Sequence, residues 1–271
     1  MDIKVKAVII MYSLKSAKRI VFKVGTSTLT YPTGKTNLRR LAAIVRVLSD
    51  LSNAGKEVAL VSSGAIGVGV GKLGLQEKPS DIPSRQAAAC IGQCELMFTY
   101  DKFFSEYGKI TGQLLITKSD VESDERRVNL INAFDKMLQY GVIPIINEND
   151  SVAVEEITYG DNDNLSAIVA KLIHADALVI LTDTDGLFTA NPQEDETATL
   201  IPLVTEITPE LESIAGDRGS TRGTGGMVTK LAAAKLATEA GIDTVIMNGS
   251  TPDDIYKLFD GHTVGTYFKA R

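Results

Sequence analysis

Two short runs dense in asparagine and aspartate, Asn147-Glu-Asn-Asp150 and Asp161-Asn-Asp-Asn164, carry the strongest chemical signal in the chain. They hold seven Asn or Asp side chains, whereas capping a helix or closing a turn takes one residue per element. Residues 142–146, headed by Gly141 and carrying Pro144, read as a buried strand that ends at Asn147. Leu165, Ile168, Val169 and Leu172 have helical spacing, so residues 161–164 sit at the start of a helix. A strand end and a helix start, each loaded with hydrogen-bonding side chains, is how an open α/β sheet builds a site for a small polar ligand. The second run also opens like a calcium loop. The glycine due at its sixth position is Ser166 and the glutamate due at its twelfth is Leu172, which rules that reading out.

An anion site is signalled separately by Gly223-Thr-Gly-Gly226-Met227, which runs into a helix with Lys230 in its first turn. The backbone N–H groups of such a turn point outward and carry the positive end of the helix dipole, within reach of the lysine ammonium. The same stretch, residues 216–226, is where a mobile lid would lie. Gly69-Val-Gly71-Lys-Leu-Gly74 matches a dinucleotide fingerprint by letter. The preceding strand ends near Val61, about eight residues too early for a pyrophosphate to meet the helix start, and no acidic strand end follows at the required distance. Gly34-Lys35-Thr36 resembles the tail of a P-loop but has Leu29 where the leading glycine belongs.

The elements that must position these groups alternate. Strands are predicted over residues 19–24, 57–61, 110–116, 142–146, 177–181, 244–247 and 266–268. Helices are predicted over 37–54, 84–107, 124–140, 165–172, 227–240 and 252–259, with Gly55, Gly108, Gly141 and Gly241 as left-handed stops. Small-residue loops follow the first two strands, at Gly25-Thr-Ser27 and Ser62-Ser-Gly-Ala65. This alternation predicts a mainly parallel sheet covered on both faces. No linker, repeat or low-complexity run divides the chain, which reads as one compact domain.

The 271 residues carry a net charge of −6, which argues against nucleic acid or an anionic membrane as the main partner. No apolar run approaches the ~20 residues needed to span a bilayer. Residues 7–11 are followed by Lys15, Lys18 and Arg19 rather than a cleavage site, so a signal peptide is not expected and a cytoplasmic location is. Residues 1–18 are compatible with an extra edge strand or with an extension preceding a start at Met11. Cys90 and Cys94, four apart with no third ligand nearby, read as two buried thiols in a reducing compartment.

Lys23-Val-Gly-Thr-Ser27, Ser62-Ser-Gly-Ala65, Asn147-Glu-Asn-Asp150, Gly160-Asp-Asn-Asp-Asn164, Thr182-Asp183 with Gly186-Leu187, and Gly223-Thr-Gly-Gly-Met-Val-Thr-Lys230 occur together in order. From Arg19 onward the chain thereby resembles the glutamate 5-kinases of the amino-acid kinase superfamily. The lysine after the first strand and the Gly-Gly-Met are shared across the superfamily, whereas the two Asn/Asp runs are particular to the glutamate enzymes. The resemblance implies a three-layer α/β/α sandwich, with residues 19–160 serving glutamate and 161–271 serving ATP. It implies transfer of the γ-phosphoryl of ATP to the γ-carboxylate of L-glutamate, with Mg²⁺ held mainly through the ATP phosphates, as the first step of proline synthesis. Feedback inhibition by proline, through the loops between Asp150 and Gly160, is implied too, as is a homodimer or homotetramer. Many relatives carry a PUA domain after the kinase; the kinase pattern here runs to Arg271, and no such domain is expected.

By position, Ser63, Gly64, Ala65, Asp150 and Asn162 would hold glutamate, with Asn147 near it. Lys23, Gly25, Thr26, Ser27, Thr182, Asp183, Thr224, Gly225, Gly226, Met227, Val228, Thr229 and Lys230 would hold ATP. Lys23 and Lys230 would flank the phosphoryl group in flight and Asp161 would orient them, leaving Asp163 and Asn164 with a capping or supporting part. Residue chemistry agrees with this scheme. A carboxylate is already ionised at neutral pH and needs no general base, so the remoteness of His174 and His262 is expected. What the reaction needs is positive charge and in-line positioning where two anions meet. Siblings acting on aspartate, N-acetylglutamate, carbamate or UMP are the nearest alternatives, and a non-catalytic nucleotide-binding module the remoter one. A carboxylate such as Asp150 suits a substrate with a free α-ammonium.

Overall fold

The strand β1 (Arg19–Val24) shows how the sheet is built. Ile20, Phe22 and Val24 point to one face and Val21 to the other, all fully buried, as alternating side chains must be in a sheet covered on both sides. In the computed structural model, which describes residues 14–31, 33, 35–153, 162–192, 194–216 and 226–271, further strands join it. They are β2 (Glu57–Ser62), β3 (Thr111–Ile116), β4 (Ile143–Glu148), β5 (Ala177–Thr182), β6 (Leu203–Val204), β7 (Asp243–Asn248) and β8 (Thr266–Phe268). Their order is β3-β4-β2-β1-β5-β7-β8-β6, with every pairing parallel except β7–β8.

The helices among the described residues are α1 (Thr26–Leu29), α2 (Leu38–Asn53), α3 (Ala65–Leu73), α4 (Ile82–Ser105), α5 (Lys118–Glu122), α6 (Asp124–Gln139), α7 (Asn162–Leu172), α8 (Pro209–Gly216), α9 (Met227–Glu239) and α10 (Asp254–Phe259). One core packs α2, α3, α4 and α10 against Ile20, Phe22, Leu60 and Ile145. The other packs α6, α7 and α9 against Val21, Val61, Ile146 and Ile180. Two cores, one on each face of a single sheet, make the three layers expected of the sequence. None of these helices is long and apolar enough to cross a membrane.

Several expectations shift. The glycine pattern of residues 69–74 lies in α3 and its C-cap, where no element was predicted; Gly74, at φ +68°, ends the helix. A Cβ on Gly69 would lie 1.8 Å from the Ala88 carbonyl oxygen, and one on Gly92 1.8 Å from that of Ala65. The two glycines therefore let α3 and α4 meet backbone to backbone. Gly92→Ala should cost about 1–3 kcal/mol of stability, the usual range for an overpacked core, read as a lower urea midpoint at unchanged slope. An unchanged midpoint would mean the helices separate freely.

Cys90 and Cys94 are both exposed, contrary to expectation. The buried stripe of α4 runs through Ala88, Ala89, Gly92, Leu96, Tyr100 and Phe104, and the helical phase turns 90 and 94 away from it. α4 also starts two residues earlier than predicted, because Asp81 caps it by accepting from the Ser84 N–H at 2.9 Å. The segments α1, α5 and β6 were not foreseen, being too short to show a period, and no helix was predicted where α8 lies.

Candidate active site

The C-terminal ends of β1, β2, β5 and β7 come level at one edge of the sheet. Val24 is in register with both Ser62 and Leu181, and Thr182 with Asn248. From β1 the chain passes to β2 on one side and only later to β5 on the other. The strand order thus reverses between β1 and β5, where the connections diverge and open a crevice.

Lys23 stands at that point. It shares the face of Val21, so it follows the apolar alternation of β1 into the core beneath α7 and α9 and breaks it with a charge. It is 3% exposed, Lys230 on the first turn of α9 is 7% exposed, and Asp163 on the first turn of α7 is 0% exposed. The Lys23 ammonium pairs with Asp163 Oδ1, and that of Lys230 with Oδ2 at 3.1 Å. Thr229 Oγ1 lies 2.9 Å from the same Oδ2 and 2.9 Å from the Gly226 carbonyl oxygen. One carboxylate thus holds two ammonium groups that would otherwise repel each other. Buried charges demand such pairing. The triad retains a net positive charge, a setting made for an anion.

The residue before Asp163 faces the other way. Asn162 Nδ2 donates to the Ser62 carbonyl and to Asn147 Oδ1, both at 2.8 Å, and lies 3.0 Å from Ser63 Oγ. Asn147, 3% exposed, also accepts from the Glu148 N–H at 2.9 Å and donates to Gln93 Oε1 at 2.8 Å. Gly64 adopts φ +98°, a left-handed conformation that suits glycine, and no side chain caps α3 where Ala65 begins it. Asp150 is half-buried just beyond β4. The turn after it is tied by Asn149, whose carbonyl accepts from the Val152 and Ala153 N–H groups at 3.1 and 3.0 Å. Beneath the cluster, Tyr100 is fully buried with its hydroxyl 2.9 Å from Ser62 Oγ, and burial raises the pKa of its phenol, which stays protonated.

On the other side of Lys23, a Cβ on Gly25 would lie 3.7 Å from its ammonium nitrogen, so the absence of a side chain keeps that space open. Thr26 and Ser27 form the start of α1, whose N-cap Gly25 offers no side-chain cap. Thr182 Oγ1 donates to Asp183 Oδ1 at 3.1 Å at the end of β5. Gly226, Met227, Val228, Thr229 and Lys230 form the start of α9, again without a side-chain cap. Thr224, Gly225, Asp161 and residues 154–160 lie outside the described residues, as do residues 1–13.

The structure therefore brings Lys23 and Lys230 together, joins Asn162 to Ser63 and Asn147, and connects the two groups through consecutive residues of α7. Asp161, expected to orient the lysines, lies outside the described residues; the Asp163 carboxylate pairs with both of them. A signal for it was present. With α7 started at Asn162, helical phase puts Asp163 on one stripe with Ser166, Ala167 and Ala170, which is the buried face. The stripe read from Leu165, Ile168, Val169 and Leu172 is buried only at Val169 and Leu172, and it runs beside the one that carries Asp163. Gln93 and Tyr100 had no signal, since nothing local marks a polar residue of a long helix as meeting a strand end.

The amino acid kinase family model matches residues 18–248. A glutamate 5-kinase of Clostridium perfringens is 52% identical over 263 residues, 96% of this chain and 98% of that protein. One of Moorella thermoacetica is 54% identical over 259 residues, 96% of this chain and 68% of that protein. Among solved structures, a UMP kinase of Bacillus anthracis aligns with a TM-score of 0.61 at 17% identity, over 94% of this chain and 96% of that one. An isopentenyl phosphate kinase of T. acidophilum aligns with a TM-score of 0.63 at 16% identity, over 93% and 100%. At such identities the structural matches speak to the fold alone.

Proposed function

The chain belongs to the amino acid kinase family and, within it, to the glutamate 5-kinases, and from that premise we propose that it transfers the γ-phosphoryl group of ATP to the side-chain carboxylate of L-glutamate. The observation that carries this reading is the buried triad of Lys23, Asp163 and Lys230 at the reversal of strand order. A glutamate carboxylate oxygen attacks the γ-phosphorus, the bond from phosphorus to the β-phosphate bridging oxygen breaks, and ADP leaves with that electron pair. The products are ADP and L-glutamyl 5-phosphate. No proton need be removed from the nucleophile. The two lysines supply positive charge where the anions converge, preset by Asp163 so that little reorganisation is needed during transfer.

Gly25, Thr26, Ser27, Thr182, Asp183 and the start of α9, with Thr224 and Gly225, would hold ATP. Mg²⁺ would arrive on its phosphates, since this ion asks a protein for one or two carboxylates at most and supplies further charge neutralisation. Ser63, Gly64, Ala65, Asn147, Asp150 and Asn162 would hold the amino acid end of glutamate. The same reading places the reaction at the first step of proline synthesis, with proline acting as feedback inhibitor near residues 150–160, in a homodimer or homotetramer.

The test is ATP-dependent hydroxamate formation in hydroxylamine with glutamate, aspartate or N-acetylglutamate, with and without proline. Turnover on glutamate is expected; turnover on aspartate alone, or on none of the three, would reject the assignment. Asp150→Asn should raise the glutamate KM by about tenfold or more with a smaller change in kcat, as expected when a charged contact made equally in ground and transition states is lost. An unchanged KM would remove Asp150 from the substrate site.

A further inference from the structure

Two polar side chains of α4 reach strand ends at which the apolar alternation of the sheet stops. On β2, Val58 and Leu60 face α4 and Ser62 follows them; on β4, Ile143 and Ile145 are followed by Asn147. Tyr100 meets Ser62 and Gln93 meets Asn147. Gln93 and Tyr100 are seven residues apart and lie along one stripe of the helix. The adjoining Gly92 sets the depth of Gln93 through its backbone contact with α3.

The polarity of the amides that follow is forced by backbone groups that cannot reverse. The Glu148 N–H only donates, so the Asn147 atom 2.9 Å from it is the oxygen. The Ser62 carbonyl only accepts, so the Asn162 atom 2.8 Å from it is the nitrogen. The buried Asn147 Nδ2 then requires an acceptor, which Gln93 Oε1 provides at 2.8 Å. Asn162 has two amide hydrogens, and its nitrogen faces the Ser62 carbonyl, Asn147 Oδ1 and Ser63 Oγ. The atom it can offer a ligand is therefore Oδ1, an acceptor.

We propose that Gln93 is a positioning residue for the substrate. By holding Asn147 it fixes Asn162 with its oxygen presented to the donor group of the ligand. This rests on the glutamate reading, in which that donor is the free α-ammonium. Gln93 touches no reacting atom, so its influence belongs in substrate affinity and not in phosphoryl transfer.

The experiment compares wild type, Gln93→Met, which keeps the shape and removes the amide acceptor, and Gln93→Glu, which keeps an acceptor, in the hydroxamate assay with unfolding temperature as a control. Gln93→Met should raise the glutamate KM about tenfold, the size expected for one buried donor left without its acceptor, with kcat and the ATP KM within about threefold. Gln93→Glu should stay within about threefold of wild type in all three constants, because the acceptor is restored. If Gln93→Met does not fold, Gln93→Ala is read in the same way. An unchanged glutamate KM in the variant lacking the amide overturns the proposal, as does a parallel shift of both KM values and kcat that Gln93→Glu fails to rescue. With wild-type turnover on glutamate established, either result indicts Gln93 alone; no wild-type turnover on glutamate overturns the substrate reading and this proposal together.

Discussion

Asp163→Asn should lower kcat by at least about 10³, because a single preorganised group acting on transition-state charge is worth about 10²–10³ and this carboxylate presets two. The asparagine keeps the shape but removes the charge that lets Lys23 and Lys230 lie buried side by side. Both ammonium groups then lose the carboxylate that pairs them, and breaking a buried pair in this way costs about 3–5 kcal/mol of stability. Loss of activity and loss of stability should therefore appear in the same variant, in the hydroxamate assay and in urea unfolding. The glutamate KM should move less, since Asn162 is held separately by Ser62 and Asn147. A kcat within tenfold of wild type would remove Asp163 from the centre of the mechanism.

Lys230→Ala should lower kcat by about 10²–10³, corresponding to about 3–4 kcal/mol of transition-state stabilisation, with a smaller change in the glutamate KM. Its effect on stability should be milder than that of Asp163→Asn. Asp163 keeps Lys23 as partner and the Thr229 hydroxyl 2.9 Å away, so no buried charge is left alone. Steady-state kinetics and a urea titration on the two variants separate these roles. Equal stability losses would mean that the triad acts as an inseparable structural unit, and an unchanged kcat would exclude Lys230 from the transfer step.

Much of the scaffold was legible because its signals are local. Alternation in residues 19–24, the apolar run of 57–61, the helical spacing of 37–54, and glycine stops at 55, 108, 141 and 241, each with positive φ, all act within a few residues of one another. The glycine pattern of 69–74 was set aside as a phosphate turn, but what Gly69 is for could not be read locally, because its use is set by Ala88, which touches it from another helix. Cys90 and Cys94 were misjudged because residue type says nothing of helical phase, and phase decides which face of α4 meets the sheet.

The sequence by itself determined an α/β sheet, and it marked the two Asn/Asp runs and the two lysines as the candidate site that the sheet carries. Composition and spacing along the chain are sufficient for that. That Asp163 pairs with both lysines, that Asn162 Nδ2 turns to Ser62, Ser63 and Asn147, and that Gln93 stands behind Asn147 were decided only by the tertiary structure. Those assignments depend on which strand ends fall level at the reversal of strand order, and on which helix face is pressed against them. Both are set by packing between residues as far apart as 23, 93, 163 and 230.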